Sequence, residues 1–99
     1  KFFAPWCVHC QRLAPVWNDL AKAALHGEWP LRIAEVDCSR SSEVCQRNLI
    51  TGYPTLSLIR DGQHKGQYKG APMVDAMQEW IGKQLGQPIG VPQEAGQPA

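Results

Sequence analysis

Cys7 and Cys10 stand at the point where a strand-like stretch, Phe2-Phe3-Ala4-Pro5, gives way to a helical repeat. That junction constrains the chain more than any other feature. From Cys7 to about Leu25 the apolar residues Leu13, Val16, Trp17, Leu20 and Ala24 recur at helical spacing, which predicts a helix with one buried face. Both cysteines then fall in its first turn and on one side of it. Pro15 predicts a kink, since proline lacks the N–H and crowds the preceding turn. Gly27 and Pro30 end the helix.

The later segments are shorter. Leu31 to Asp37 is rich in branched apolar residues and predicts a strand buried on both faces. Ser41-Ser42-Glu43 opens a short helix to about Asn48, with the serines available as caps. Thr51 to Pro54 is a turn, Thr55 to Arg60 a strand, and Asp61-Gly62 a hairpin signal leading to a polar returning strand over His64 to Lys69. Pro72 suits the first position of a last helix carried by Met73, Val74, Met77, Trp80, Ile81 and Leu85, closed by Gly86. The order β-α-β-α-β-β-α predicts the α/β class: a mixed sheet with helices on its faces. Residues 1–86 make one domain. Residues 87–99, mostly Gln, Pro, Gly and Ala, are expected to be a flexible tail or linker, because they offer little apolar surface to bury.

Ten basic and nine acidic side chains in 99 residues give a formal charge of +1, so neither nucleic acid nor a membrane surface is an expected partner. The opening Lys1-Phe2-Phe3-Ala4 has the character of the end of a longer strand, and the sequence reads as a fragment. Four cysteines tilt the compartment toward an oxidising one, the lumen of the endoplasmic reticulum or the outside of the cell.

A cysteine at a helix start faces unpaired N–H groups and the positive end of the helix dipole, and both favour the thiolate, the nucleophilic form. Cys7 is therefore the expected attacking thiol. Cys10, one turn in, is expected to be more buried and to resolve the mixed disulfide. A cationic His9 between them would stabilise the reduced pair and make it a stronger oxidant; as an exposed polar residue it would do nothing. A zinc site of Cys7, Cys10, Cys38 and Cys45 is the competing chemistry, although the gap between the second pair is long for such a site. No other metal or cofactor is called for.

The run from Lys1 to Pro15, KFFAPWCVHCQRLAP, resembles the FYAPWCGHCKxLAP signature of the protein disulfide isomerase family. Ile33 to Cys38, Gly52-Tyr53-Pro54-Thr55 and Arg60-Asp61-Gly62 continue the likeness over about residues 1–85. The second cysteine pair narrows it to endoplasmic-reticulum members with three thioredoxin domains, with the first thioredoxin domain of flavin-linked sulfhydryl oxidases next. The resemblance implies a thioredoxin fold without its first strand and helix, and an enzyme acting on cysteine-containing client polypeptides beside sister domains. It implies a cis peptide at Tyr53-Pro54 whose backbone pairs with an extended client, and a rim role for Trp6, which could equally pack on the helix. It also implies a structural disulfide between Cys38 and Cys45, against the alternative of two inert buried thiols. Three positions depart from the family. Lys1 stands where many members keep a buried acid, Ala71-Pro72 where many keep an arginine, and Val8 where glycine is usual. Lys1 is expected to carry its charge out to water, leaving Cys10 unassisted.

Overall fold

The computed structural model describes residues 1–89. In chain order they form β1 (Phe2–Phe3), α1 (Val8–His26), β2 (Val36–Asp37), α2 (Ser42–Arg47), β3 (Leu56–Arg60), β4 (Gln63–Tyr68) and α3 (Val74–Leu85), the order read from the sequence. β1 lies parallel to β2, with Phe2 opposite Val36 and Phe3 opposite Asp37. β3 and β4 form an antiparallel hairpin with an irregularity at Leu58/Ile59. The two ladders meet at one antiparallel bridge, where Phe2 and Thr55 exchange N–H···O bonds of 2.8 and 3.0 Å. Phe2 is thus the centre of a mixed arrangement, parallel on one side and antiparallel on the other.

The helical repeat explains the core. Leu13, Leu20 and Ala24 of α1 meet Met77 and Ile81 of α3, with Tyr68 and Trp29 completing the cluster. Leu20 is 1% exposed. Losing it to alanine would cost about 2–5 kcal/mol in transfer and cavity terms. A second cluster holds Phe2, Cys38 and Cys45, with Val36, Ile50 and Tyr53 against it. α1 runs through Pro15 without interruption.

The strand expected over Leu31 to Asp37 is only Val36–Asp37. A strand persists as far as it has ladder partners, and here the ladder ends with Ala34 accepting the Lys1 N–H at 2.9 Å. Beyond that point a groove of about 450 Å³ separates Leu31 and Ile33 from Leu56 and Leu58. Leu31 and Ile33 are accordingly half-buried instead of buried on both faces.

Three end signals also land elsewhere. Ser41 is the residue before α2, but its side chain makes no capping bond. The turn is held instead by the Asp37 carboxylate, which accepts the Ser39 N–H at 2.9 Å and its hydroxyl at 2.7 Å. Met73 caps α3, which leaves Pro72 outside the helix. The expected tail starts packed: Ile89 is 9% exposed in the main core, and its carbonyl accepts Gln78 Nε2 at 3.0 Å. Residues 90–99, the remainder of that expected tail, lie outside the described residues. Asp61 and Gly62 turn the hairpin with φ of 55° and 76°, the left-handed pair that Asp-Gly accommodates. Gly86, at φ 72°, ends α3. Among the described residues no helix is long and apolar enough to cross a membrane.

Candidate active site

The strand-to-helix junction places Cys7 as the cap of α1, in extended conformation at φ −82° and ψ 121°. Its sulfur accepts the Cys10 N–H at 3.3 Å, so a thiol occupies the position where a helix offers its unpaired donors. The Cys7 thiol in turn donates to the Tyr53 carbonyl at 3.6 Å. Cys7 and Cys10 are both free thiols, Cys7 half-buried and Cys10 buried at 3% exposure.

The two sulfurs are driven apart in acidity. The Cys10 thiol hydrogen-bonding to Cys7 lowers the Cys7 pKa below the ordinary thiol range, aided by the backbone N–H groups of Cys10 and His9 and opposed by partial burial. Burial raises the Cys10 pKa, as do the hydrogen bond it gives to Cys7 and the charge that Cys7 carries. The Ala4 backbone and the Lys1 charge pull the other way. One thiol is set to ionise first; the other holds its proton.

Around Cys7 the surface is apolar. Trp6 is 69% exposed and meets Tyr53 edge-on, with ring centroids 5.7 Å apart and planes at 84°. It packs on the Tyr53 turn, while one face stays open. The Tyr53–Pro54 peptide is cis. Val8 and His9 are exposed on the first turn of α1. Trp6, Cys7, Cys10 and Tyr53 therefore come together, and the His9 side chain points away into solvent.

Cys38 and Cys45 form a disulfide with Cα atoms 5.7 Å apart, joining the end of β2 to α2 at 5% and 4% exposure. With their sulfurs bonded to each other they cannot join Cys7 and Cys10 around a zinc ion, whose thiolate ligands must be free. Among the described residues no cluster of three metal-ligating side chains occurs.

The thioredoxin family profile matches residues 1–83. The chain belongs to the thioredoxin family. It is 44% identical over 89 residues to the Drosophila melanogaster thioredoxin domain-containing protein 5 homolog, covering 90% of this chain and 21% of that protein. It is 43% identical to protein disulfide-isomerase A3 of Gallus gallus, covering 87% of this chain and 16% of the relative. The chain thus spans about a fifth of the length of these relatives. Among solved structures, human ERp44 superposes with a TM-score of 0.76 at 34% identity, covering 83% of this chain and 25% of that one. A J-Trx1 fragment of ERdj5 gives 0.75 at 28% identity, covering 87% and 41%.

At one departure from the family the structure corrects the sequence reading. The Lys1 side chain does not reach water: it is 4% exposed, with Nζ 3.1 Å from Glu35 Oε1. The same ammonium lies 5.0 Å from the Phe3 ring centroid and 5.6 Å from that of Trp17. A carboxylate and two aromatic faces replace the water that the charge would otherwise seek. Glu35 is absent from the candidates drawn from the sequence. Its signal lay in register: once Phe2 pairs with Val36, Lys1 falls opposite Glu35. At the other two departures, Val8 is exposed, and the Ala71 carbonyl accepts the Tyr68 hydroxyl.

Proposed function

We propose that this domain is a thiol–disulfide oxidoreductase of the protein disulfide isomerase type, exchanging disulfides with cysteines of client polypeptides. The observation that carries this reading is the asymmetry of one sulfur pair: Cys7 at the helix cap with its pKa lowered, Cys10 behind it buried with its pKa raised. The Cys7 thiolate attacks a client disulfide and expels one client thiolate. The Cys10 thiolate then attacks the Cys7 sulfur, forming the Cys7–Cys10 disulfide and releasing the reduced client. Run backward, the same two steps oxidise a client dithiol. Sulfur supplies and accepts both electrons, so the exchange itself draws on no cofactor.

The Trp6 face gives a client an apolar contact, and the Tyr53-Pro54 turn offers backbone for an extended client segment. A cationic His9 would favour the reduced pair from the surface. The Cys38–Cys45 bond serves structure and supports an oxidising compartment, such as the lumen of the endoplasmic reticulum or the cell exterior. Sister thioredoxin domains fit relatives of which this chain covers a fifth.

The test is mutational. Cys7→Ser should abolish disulfide exchange, whereas Cys10→Ser should accumulate mixed disulfides on Cys7. Trapping by Cys7→Ser and none by Cys10→Ser would reverse the roles. Binding of clients without exchange by the unmodified chain would favour a non-catalytic binding module. The potential of the pair grades the activity: about −180 mV would resemble isomerases and about −270 mV thioredoxin reductants.

A further inference from the structure

The surface beside Cys7 is short of charge and rich in apolar side chains. Residues 2–11 and 48–59, the two stretches that bring Cys7 and the Tyr53 carbonyl together, contain no Asp, Glu, Lys or Arg. Trp6 and Val8, the chain neighbours of the thiol, stay open to solvent at 69% and 53% exposure. The first permanent charge on α1 is Arg12, four residues beyond Val8 and therefore on the same helix face. Both side chains are exposed, and among the described residues no carboxylate lies within salt-bridge distance of Arg12. The first turn of α1 holds no acid. Gln11, the polar neighbour, is engaged elsewhere, its Nε2 donating to the Pro5 carbonyl at 2.9 Å.

Resting on the oxidoreductase reading above, we infer that Val8 and Arg12 select the client: the preferred cysteine lies in an extended segment with an apolar side chain two positions away and a carboxylate two positions further on.

Spacing favours such a client. Four residues of α-helix rise about 6 Å. Two residues of extended chain advance about 6.6 Å and put their side chains on one face. A strand laid along this face of α1 with its cysteine on Cys7 presents its next alternate side chain to Val8 and the one after that to Arg12. An apolar side chain on Val8 takes both out of water. Val8 is β-branched and holds one main rotamer in a helix, so fixing it in contact costs little side-chain entropy. A glycine at this position would offer no such surface. A carboxylate beside Arg12 gains an exposed ion pair, weak and screened by salt, and a lysine there is repelled. A cationic His9, exposed on the same turn, adds to the attraction. The exchange step is unaltered: the Cys7 thiolate attacks the client disulfide, that bond breaks, and the second client thiolate leaves. Val8 and Arg12 act on binding, so their effect falls on KM.

The experiment uses three peptides, each a disulfide-linked dimer: Glu-Gly-Leu-Gly-Cys-Gly-Leu-Gly-Glu, the same with Lys for Glu, and the same with Gly for Leu. Their symmetry makes the result independent of the direction in which a client lies. kcat/KM is measured with the full chain, with Val8→Gly and with Arg12→Glu, at about 0.02 M and about 0.5 M salt. Each value is divided by the rate of dithiothreitol with the same peptide, which removes the peptide's own reactivity. In the full chain the Glu peptide should exceed the Lys peptide about fivefold at low salt and less than about twofold at high salt. It should exceed the glycine-flanked peptide about fivefold at both. Arg12→Glu should invert the order of the Glu and Lys peptides, and Val8→Gly should remove most of the preference for leucine, with the change carried by KM. Equal values for the Glu and Lys peptides at low salt, or an order that Arg12→Glu leaves as it was, overturn the part of Arg12. A leucine preference that survives Val8→Gly in full overturns the part of Val8. A full chain that exchanges with none of the peptides overturns the oxidoreductase reading itself.

Discussion

Two cysteine pairs sit in this domain, and their surroundings send them to opposite ends. Cys38 and Cys45 lie among Phe2, Val36, Ile50 and Tyr53, bonded to each other and out of reach of water. Cys7 and Cys10 share one helical turn, but the first caps the helix beside an open surface and the second is sealed beneath it. A pair whose members see the same environment gains from staying joined. A pair whose members see different environments can cycle, because one thiol ionises where the other does not. The difference lies in where the backbone puts each sulfur, since the side chains are identical.

The strongest way to break this contrast is to exchange the sulfurs for oxygen or carbon one pair at a time. Cys7→Ser should reduce disulfide exchange with a peptide substrate to the background rate, yet leave the melting temperature almost unmoved, as is usual for a partly exposed position. Retained exchange would mean that another thiol does the attacking.

Next in size is the split in acidity between Cys7 and Cys10. A lowered pKa means that Cys7 is thiolate at pH values where a free cysteine is still protonated; a raised one means that Cys10 becomes thiolate only above that range. Alkylation of the reduced protein followed against pH should show Cys7 reacting with its midpoint below that of free cysteine. Cys10 should react at least about tenfold more slowly at neutral pH, since burial and protonation both protect it. Equal rates at the two sulfurs would erase the asymmetry.

The joined pair should show a smaller effect, confined to stability. Cys38→Ala/Cys45→Ala opens a loop with a sequence separation of 7, worth about 2 kcal/mol in chain entropy. The melting temperature should fall by about 10 °C. Alkylation of Cys7 below that temperature should be unchanged. A shift in Cys7 reactivity would show that the two pairs are coupled through Phe2 and Tyr53.

The smallest effect belongs to the rim. Trp6→Ala removes an exposed ring and its edge contact with Tyr53, a loss of about 1 kcal/mol. KM for a peptide disulfide should rise several-fold with kcat unaltered, and the melting temperature should fall by about 5 °C. An unchanged KM would take Trp6 out of client contact.

Much of the fold was legible because helices and hairpin turns are local. The apolar spacing from Leu13 to Ala24 needs only neighbours within a turn or two, and α1 ends within a residue or two of its expected limits. Asp61-Gly62 carries its own backbone preference. The strand over Leu31 to Glu35 was misread for the opposite reason: branched apolar residues state a preference, but a strand also needs a ladder, and β1 supplies two residues of one. Ser41 and Pro72 are good end signals overruled by the turn at Asp37 and the cap at Met73.

The same division runs through the site. That Cys7 caps a helix and Cys10 follows one turn behind was written in the sequence, since a helix's first turn is defined by residues three and four apart. Tertiary structure alone decided what those sulfurs meet. The Tyr53 carbonyl reaches Cys7 from 46 positions away, through the bridge that ties Thr55 to Phe2. Glu35 reaches Lys1 because β1 and β2 pair in one register, and a shift of one residue would have turned that carboxylate to the other face. Sequence spacing fixes which side chains share an element; which elements become neighbours is set by burial summed over the whole chain, and no short stretch contains that sum.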